Sequence, residues 1–202
     1  MQNPTFSVII VNYNGGHYLH DAVQSLTQQT FRDFELIVLD NASTDGSADT
    51  LDLSEFPSAR LVKMDDNLGF AAANNLGARL AKGRWLALLN PDAVAAPDWL
   101  HQVVLANRRH PECRVFASAQ YNAQDPDKID GAGDAYLIMG VPWRGGYGHH
   151  RTAMPGEGEC FSPCGAAAIM DRELFLTHNG FDERFFCYCE DVDLGFRFQL
   201  AG

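Results

Sequence analysis

Two aspartates follow short apolar segments that have the composition of buried strands. Asp40 ends Phe34–Asp40 (FELIVLD), and Asp92 comes shortly after Arg84–Leu89, in the hexapeptide LLNPDA. Pro91 removes a backbone donor and ends the second segment, so the Asp92 side chain must project past the sheet edge or into a following turn. Carboxylates at the edge of a sheet can accept hydrogen bonds from a nucleobase or a ribose, or they can bind a metal ion. For each aspartate taken alone, a turn former or helix cap is the alternative.

A second group of carboxylates opens the last predicted helix. Glu190, Asp191 and Asp193 lie in the sequence EDVD. Acidic residues in a first helical turn complement free N–H groups and the helix dipole, which is the structural alternative. The aromatic run Phe185–Tyr188 comes just before them and would lower the local dielectric, which favours a tuned general base. Neighbours on one helical turn point in different directions, so a single base is favoured over a glycosidase carboxylate pair.

Alternating apolar and amphipathic segments must position these side chains. Strands are predicted at Phe6–Asn12, Phe34–Asp40, Ala59–Met64, Arg84–Leu89, Val115–Ser118 and Gly165–Met170. Helices are predicted at His17–Gln29, Ala48–Leu53, Gly69–Leu80, Pro97–Arg109, Arg172–Thr177 and Glu190–Ala201. Strands that alternate with helices through short connections predict an α/β fold. We expect a Rossmann-like, mostly parallel sheet flanked by helices.

The carboxyl ends of parallel strands meet at one edge of a sheet, where open α/β folds bind ligands. Asp40 and Asp92 should therefore converge there with Tyr13 and Asn14, which follow the first strand. An aspartate beside an aromatic ring suits a nucleotide. The chain has neither Gly-x-Gly-x-x-Gly after the first strand nor a P-loop, which disfavours dinucleotide and P-loop binding. Few basic residues lie in these loops, so Mg²⁺ or Mn²⁺ on Asp92 would balance a diphosphate, with Asn90 as a neutral second ligand or a hydrogen-bond donor.

The segment Gln120–Gly158 is rich in Gly, Asp, Pro and Tyr and has weak periodicity. Long irregular segments inside compact domains are usually lids or binding loops. We therefore expect it to shape a substrate pocket.

Composition and charge limit the partners. The 202 residues are 46% hydrophobic and carry a formal net charge of -11, which disfavours nucleic acid. The N-terminal apolar run is short and lacks a basic region, so neither a signal peptide nor an anchor is expected and the protein should be cytoplasmic. Five cysteines without a secretion signal predict reduced thiols, and buried apolar thiols are favoured over a structural zinc site. They are Cys113, Cys160, Cys164, Cys187 and Cys189.

Six motifs in order give the chain a specific resemblance. They are SVIIVNYNG, LIVLDNASTDGS, DNLGFAAANNLG, LLNPDA, SPCGAAAIMDRELF and GFDERFFCYCEDVDLGFR. Together they resemble the inverting family 2 glycosyltransferases, whose nucleotide-sugar-binding fold is called GT-A. The likeness spans essentially the whole chain and is greatest for rhamnosyltransferase-type members. In those members the usual D-x-D metal motif appears as N-P-D, here with Asn90 in place of the first acid.

The resemblance implies a role for each matching residue. Asp40 would contact a pyrimidine base. Asp92 would bind the Mg²⁺ or Mn²⁺ ion that bridges the diphosphate, and Asp191 would be the catalytic base. Glu190 would support that base or meet the acceptor. The other donor-binding positions that it implies are Val11, Tyr13, Asn67, Asn74, Cys164 and Gly165.

The resemblance also implies an organisation and partners. Residues 1–202 would form one GT-A domain, with a nucleotide-binding half at 1–93 and a smaller donor-sugar and acceptor half at 94–202. The donor would be a nucleoside-diphosphate sugar such as dTDP-rhamnose, and the acceptor a hydroxyl of a glycan or lipid-linked sugar, as in cell-wall or polysaccharide synthesis. Members often continue past the E-D helix, so the chain is expected to be a shortened or minimal form. Peripheral association with the inner face of a membrane would come through such missing C-terminal sequence.

Two other functions fit parts of the pattern. A nucleotidyltransferase could use a similar α/β half and a metal-binding aspartate, although it would be expected to carry a basic phosphate-binding loop. A non-catalytic nucleotide-sugar-binding module is the other alternative, favoured by the early C-terminus.

Overall fold

The computed structural model describes residues 3–201. Its strands are β1 (Phe6–Asn12), β2 (Phe34–Asp40), β3 (Ala59–Lys63), β4 (Trp85–Leu88), β5 (Val115–Ala117), β6 (Ala119–Tyr121), β7 (Ile129–Ala132), β8 (Asp134–Leu137), β9 (Val141–Arg144) and β10 (Ala168–Asp171). Its α-helices are α1 (Gly16–Thr27), α2 (Gly69–Leu80), α3 (Trp99–Arg109), α4 (Arg172–Thr177) and α5 (Glu190–Ala201).

The central sheet has six strands in the order β3-β2-β1-β4-β10-β5. β1 pairs in parallel with both β2 and β4, and β2 pairs in parallel with β3. β10 runs antiparallel to β4 and to β5. The predicted α/β fold with a mostly parallel sheet is confirmed.

The sheet is buried on both faces because its strands are apolar along their whole length. Phe6, Val8 and Ile10 pack on one side with α1 and α3. Ile9 and Val11 point to the other side and pack with α2 and α5. Successive side chains of a strand point to opposite faces, so one continuous apolar run supplies both cores.

Three local predictions were wrong. No helix forms at Ala48–Leu53, where a turn at 48–50 is followed by irregular backbone. Asp45 there accepts from the backbone N and the Oγ of Ser47, and such local side-chain bonds compete with helix formation. The strand predicted at Gly165–Met170 begins only at Ala168, after a 3₁₀ turn at Gly165–Ala167.

The third wrong prediction is the irregular segment Gln120–Gly158. It contains most of β6 and all of β7, β8 and β9, which form two small antiparallel hairpins outside the central sheet. A turn joins β8 to β9, where Gly140 has φ +88° and its N–H donates to Leu137 O over 2.8 Å.

Candidate active site

Asn12 joins the loops that follow β1 and β2. Its Nδ2 lies 3.0 Å from Asp40 Oδ1, 3.0 Å from Ser43 Oγ and 3.1 Å from Ser47 Oγ. The backbone N–H of Asn14 donates to Ser43 Oγ over 2.9 Å. These bonds hold the residues after the two strands against each other at the carboxyl edge of the sheet.

The structure brings Asp40 and Tyr13 to the same edge. Asp40 is almost fully buried at the end of β2, directly opposite Asn12 in the strand register. Tyr13 is the next residue along from Asn12 and half of its surface is exposed, so its ring is free to stack on a ligand. Val11 is buried in the core beneath them. Their contacts with a nucleobase stay predictions.

Asn67 holds the turn that begins α2. Its Oδ1 accepts from Asn41 Nδ2 over 2.7 Å and from the N–H of Gly69 over 2.9 Å. Asn74 lies inside α2, where it is 1% exposed and its Nδ2 donates to Phe70 O over 3.0 Å. Asn67 therefore shapes the loop beside Asp40, and the predicted diphosphate contacts of Asn67 and Asn74 stay predictions.

The N-P-D sequence forms a tight turn directly after β4. The N–H of Ala93 donates to Asn90 O over 3.1 Å, and the N–H of Asn90 donates to Ala166 O over 2.9 Å. A methyl group on Gly15 would lie 3.5 Å from Pro91 Cβ, so this turn packs against the loop after β1. The turn leaves Asp92 exposed at the sheet edge, as the proline suggested.

The oxygens of this turn suit a hard divalent ion. Asn90 Oδ1 is buried without a hydrogen-bond partner among the described residues, and Asp92 carries an exposed carboxylate. Among residues 3–201 no cluster of three or more His, Cys, Asp or Glu side chains could hold a metal. Mg²⁺ and Mn²⁺ commonly use one or two protein oxygens and complete their shell with substrate phosphate and water. The turn therefore fits an ion that arrives with a diphosphate.

A strained loop leads into α5 and aims its first residues. Phe186, Tyr188 and Cys189 all have positive φ values, of 60°, 73° and 66°. Such angles are costly for residues with side chains and persist only where the surroundings fix them. One restraint is the N–H of Ala71, which donates to Phe186 O over 3.1 Å. Gly69 permits this approach, because a Cβ there would lie 2.6 Å from that carbonyl oxygen.

Asp191 and Gly165 are brought together from distant parts of the chain. The N–H of Gly165 donates to Asp191 Oδ2 over 2.8 Å, and the N–H of Val192 donates to Oδ1 over 2.8 Å. The preceding Cys164 is a buried free thiol, and burial raises its pKa. The small-residue segment and the start of α5 thus form one surface, with the Asp191 carboxylate oriented by two backbone donors.

Glu190 is the more deeply buried carboxylate of the E-D pair. It is 4% exposed, and its Oε2 has no hydrogen-bond partner among the described residues. Burial, with a smaller contribution from the charge of Asp191, raises the pKa of Glu190 to about 7. Of the aromatic side chains before it, Phe185 and Phe186 are about half exposed and Tyr188 is 82% exposed.

Two residues of the β8–β9 hairpin join this group, and neither was predicted from the sequence. Asp134 and Arg144 face each other across the hairpin. Burial, and next the charge of Asp191, raise the pKa of Asp134 to about 6, while Arg144 opposes the shift. Arg144 also bonds Asp130 Oδ2 over 2.8 Å. An arginine therefore sits near the Asp134 and Asp191 carboxylates. The sequence feature that could have indicated this hairpin is Gly140, which lies between two short apolar runs.

A separate cavity of about 780 Å³ lies at the opposite edge of the sheet, near the amino ends of β1 and β4. Part of its polar lining is paired within the protein, although the buried Nδ2 of Asn107 has no hydrogen-bond partner among the described residues. Arg114 Nη2 donates to Asp171 Oδ1 over 2.7 Å, and Arg84 lies 3.9 Å from the other oxygen of that carboxylate. The cavity is remote from Asp40, Asp92 and Asp191, and we do not assign it to the candidate site.

The fold and the residues along the carboxyl edge of the central sheet define the class of protein. A Rossmann-like sheet with an Asp, an N-P-D turn and an E-D helix start along one edge is the GT-A architecture of nucleotide-sugar-dependent glycosyltransferases. The family model described as glycosyl transferase family 2 matches residues 7–177, and the chain belongs to this family.

Two curated relatives extend this assignment. An N-acetylglucosaminyl-diphospho-decaprenol L-rhamnosyltransferase of Mycobacterium tuberculosis is 30% identical over 96% of this chain and 70% of its own length. The O-antigen biosynthesis protein RfbC of Myxococcus xanthus is 31% identical over 98% of this chain, which is 16% of that protein. The resemblance to rhamnosyltransferase-type members is therefore confirmed.

Solved structures share the fold at low sequence identity. The mannosyltransferase PcManGT of Pyrobaculum calidifontis, in complex with GDP-Man and Mn²⁺, superposes with a TM-score of 0.69 at 21% identity over 100% of this chain and 54% of that one. S. aureus TarS 1–349 in complex with UDP gives a TM-score of 0.69 at 19% identity over 95% of this chain and 54% of that one. The chain thus spans about half the length of these structures.

Proposed function

We propose that this protein transfers a sugar from a nucleoside-diphosphate sugar to an acceptor hydroxyl with inversion at the anomeric carbon. The observation that carries the proposal is the placement of Asp191. Its carboxylate is held by the Gly165 and Val192 N–H groups, beside the small-residue segment that begins at the buried Cys164. The family match supports glycosyl transfer in general.

In the proposed reaction Asp191 acts as general base. It takes the proton of the acceptor hydroxyl as the oxygen attacks the anomeric carbon, and the electron pair of the breaking bond leaves with the nucleoside diphosphate. Attack from the face opposite the leaving group inverts the configuration. Because both oxygens of Asp191 already accept a backbone N–H, the carboxylate needs little reorganisation before it accepts the proton. We propose that Glu190 supports this base or meets the acceptor.

Asp40 and Tyr13 would bind the base of the donor, with Val11, Asn67 and Asn74 shaping the surrounding pocket. Asp40 accepts from a ring or exocyclic N–H while Tyr13 stacks on the ring. The buried position of Asp40 next to Asn12 fixes its direction.

At the other end of the donor, Asp92 and Asn90 would hold Mg²⁺ or Mn²⁺ against the diphosphate. When bound, the ion supplies positive charge where the leaving group becomes more negative. The Mn²⁺ and GDP-Man complex of the PcManGT neighbour is consistent with a divalent ion.

The mycobacterial relative suggests the substrates. Its name describes rhamnosyl transfer to an N-acetylglucosaminyl-diphospho-polyprenol. We infer a donor such as dTDP-rhamnose and a glycan or lipid-linked acceptor, used at the cytoplasmic face of a membrane. We also propose that residues 1–202 form one domain, in which 1–93 bind the nucleotide and 94–202 contact the sugar and acceptor.

A product assay tests the reaction. The protein is incubated with dTDP-rhamnose, Mn²⁺ and a short-chain prenyl-diphospho-N-acetylglucosamine, and the phosphate products are separated. Release of dTDP with formation of a rhamnosylated lipid supports the proposal. Release of pyrophosphate would favour a nucleotidyltransferase. Tight donor binding without turnover, in a panel of nucleotide sugars and acceptors, would favour a non-catalytic binding module.

A further inference from the structure

The cavity at the amino edge of the central sheet is separate from the candidate active site. It has a volume of about 780 Å³ and lies between the starts of β1, β4 and α4 and one side of α3. The buried Val103 and the partly buried Val104 of α3 supply an apolar part of its lining. Sites for small molecules typically measure about 300 to 1,000 Å³, so this cavity has room for a small organic ligand.

The charged lining of this cavity is mainly basic. It carries four basic and two acidic side chains, a net charge of +2, whereas the whole chain has a net charge of -11. The basic residues are Lys82, Arg84, Arg114 and Arg172, and the acidic residues are Asp171 and Glu173. A cleft lined by one sign of charge focuses the field, so the charge of this cavity favours an anionic ligand.

The polar groups that remain free in the cavity are mostly hydrogen-bond donors. Asp171 is already engaged, because its Oδ1 accepts from Arg114 Nη2 over 2.7 Å and from the N–H of Leu174 over 3.0 Å. Arg84 Nε lies 3.9 Å from Asp171 Oδ2, which is beyond hydrogen-bond distance. Among residues 3–201 the Arg84 guanidinium makes no hydrogen bond and the Lys82 ammonium makes no ion pair. The cavity therefore offers donors and positive charge that the protein itself does not use.

Arg84 is oriented by stacking rather than by hydrogen bonds. Its guanidinium carbon lies 5.0 Å from the centre of the Trp85 ring, and Trp85 is only 3% exposed. A cation–π contact uses the face of the guanidinium and leaves its N–H groups free. Because these N–H groups form a planar fork that matches two oxygens of an oxyanion, Arg84 is a preoriented anion donor.

Asn107 is a further free donor in the same cavity. Its Nδ2 is buried and has no hydrogen-bond partner among the described residues. Buried polar groups in native proteins are nearly always paired, and an unpaired one lowers stability. An oxygen of a bound anion would supply the acceptor that Asn107 lacks.

We propose that this cavity is a second ligand site, which binds the phosphate group of a phosphorylated molecule. Arg84 and Lys82 bind the phosphate oxygens, Asn107 donates to a third, and Arg114 keeps its bond to Asp171. A phosphate has enough oxygens for three donors that approach from different elements, whereas a carboxylate has two. A phosphate monoester carries a charge close to -2 at neutral pH, which matches the lining. Glu173 opposes it but is exposed, so solvent screens its charge.

Isothermal titration calorimetry with inorganic pyrophosphate tests the inference. EDTA is present, so that no ion at the N-P-D turn can hold a diphosphate there. We expect binding that Arg84→Gln weakens about tenfold or more, because charge-assisted hydrogen bonds are lost. Lys82→Gln changes an exposed side chain and should weaken binding about threefold. Arg151→Gln is the matched control, since Arg151 also lies 5.0 Å from the centre of a ring, that of Tyr121, but outside the cavity.

A second variant separates the loss of the ligand from damage to the fold. Asn107→Leu removes a buried donor that has no partner, so it should not lower the Tm of the free protein. It should still weaken pyrophosphate binding about threefold, because one donor to the anion is lost. Thermal unfolding with and without pyrophosphate measures both effects, since a ligand of the folded state raises the Tm.

Phosphate occurs on soluble molecules and on lipid headgroups, so the experiment has one arm for each. Among residues 3–201 no helix is long and apolar enough to cross a membrane. Co-sedimentation with vesicles of phosphatidylcholine and phosphatidylglycerol is the lipid arm. Vesicle binding that Arg84→Gln abolishes, without pyrophosphate binding, would support the site and assign its phosphate to a headgroup.

Circular dichroism establishes that each variant is folded. Equal pyrophosphate affinity of Arg84→Gln and the unmodified chain overturns the inference, and so does an unmodified chain that binds neither probe. The inference does not rest on the proposed function, because no residue of the candidate active site takes part. Binding of dTDP with Mn²⁺ should be the same in Arg84→Gln and the unmodified chain. Pyrophosphate binding in EDTA without any binding of dTDP and Mn²⁺ would count against the proposed function alone.

Discussion

The backbone N–H of Gly165 lies 2.8 Å from Oδ2 of Asp191, although 26 residues separate them in the chain. A carboxylate oxygen can accept more than one hydrogen bond, so this contact orients Asp191 and leaves lone pairs for an acceptor hydroxyl. Gly165 also lies against Phe70 of α2, since a Cβ there would be 3.2 Å from that ring. The position of the proposed base therefore depends on packing between three separate segments.

Replacement of this base should abolish most turnover and keep donor binding. A general base typically contributes about 10² to 10⁴ in rate, so we expect Asp191→Asn to lower kcat by that factor and leave donor affinity nearly unchanged. Steady-state kinetics and calorimetric donor binding measure the two quantities. Asp193→Asn is the matched control, because Asp193 pairs with Arg197 on the same helix. Equal turnover of Asp191→Asn and the unmodified chain would rule out Asp191 as the base.

The buried Glu190 should make the protein less stable as the pH rises. Its pKa is raised from 4.5 to about 7 in the folded state, so the folded protein binds more protons than the unfolded chain between these values. The contribution is fully present below about pH 4.5 and is lost as the pH rises through about 7. Glu190→Gln should flatten this slope, which amounts to about 3 kcal/mol in the free energy of unfolding.

Urea unfolding from pH 4 to pH 8 measures that slope. Glu55→Gln changes an exposed carboxylate and is the control. Asp134→Asn should flatten a similar part of the slope at lower pH, because the pKa of Asp134 is raised from 3.8 to about 6. A Glu190→Gln variant with the same pH dependence as the unmodified chain would contradict a buried, proton-binding Glu190.

Loss of the exposed carboxylate in the N-P-D turn should uncouple nucleotide binding from metal. Asp92 is the acidic side chain of this turn, and a metal shared with a diphosphate needs at least one protein oxygen. We expect Asp92→Ala to reduce the gain in dTDP affinity on adding Mn²⁺ by about tenfold, while affinity in EDTA stays the same. Isothermal titration calorimetry with and without Mn²⁺ measures these dTDP affinities. Asp98→Ala, in the loop that leads to α3, is the control. If the Mn²⁺ effect survived Asp92→Ala, the ion would be held elsewhere.

The sequence predicted those elements whose signal is local and repeated. β1, β2, α2 and α5 have long apolar or amphipathic patterns, and their bounds were found to within a residue. β8 and β9 are only four residues each, and their pairing depends on a contact across the Gly140 turn. Strand propensity in such short segments is weak compared with packing, so periodicity could not reveal them.

The same contrast applies to the site. The sequence predicted that three carboxylates lie at the edge of the sheet, because each follows a recognisable strand or begins a helix. They are Asp40, Asp92 and Asp191. Asp134 and Arg144 enter the site only because the hairpin folds back toward α5. Glu190 is only 4% exposed, and its position at the start of a helix did not indicate this burial.

A second carboxylate in the N-P-D turn should make stability depend on metal. Asn90 Oδ1 is buried without a hydrogen-bond partner among residues 3–201, so an aspartate there would place a charge with no partner in the metal-free protein. We expect Asn90→Asp to lower the free energy of unfolding by about 1 to 3 kcal/mol in EDTA. Mn²⁺ with dTDP should restore that loss, because two carboxylates then share the ion. Thermal unfolding in EDTA and in Mn²⁺ with dTDP measures the difference, and Asn3→Asp, at an exposed position, serves as the surface control. A Tm in EDTA equal to that of the unmodified chain, with no larger gain on adding Mn²⁺, would show that the turn does not bind the ion.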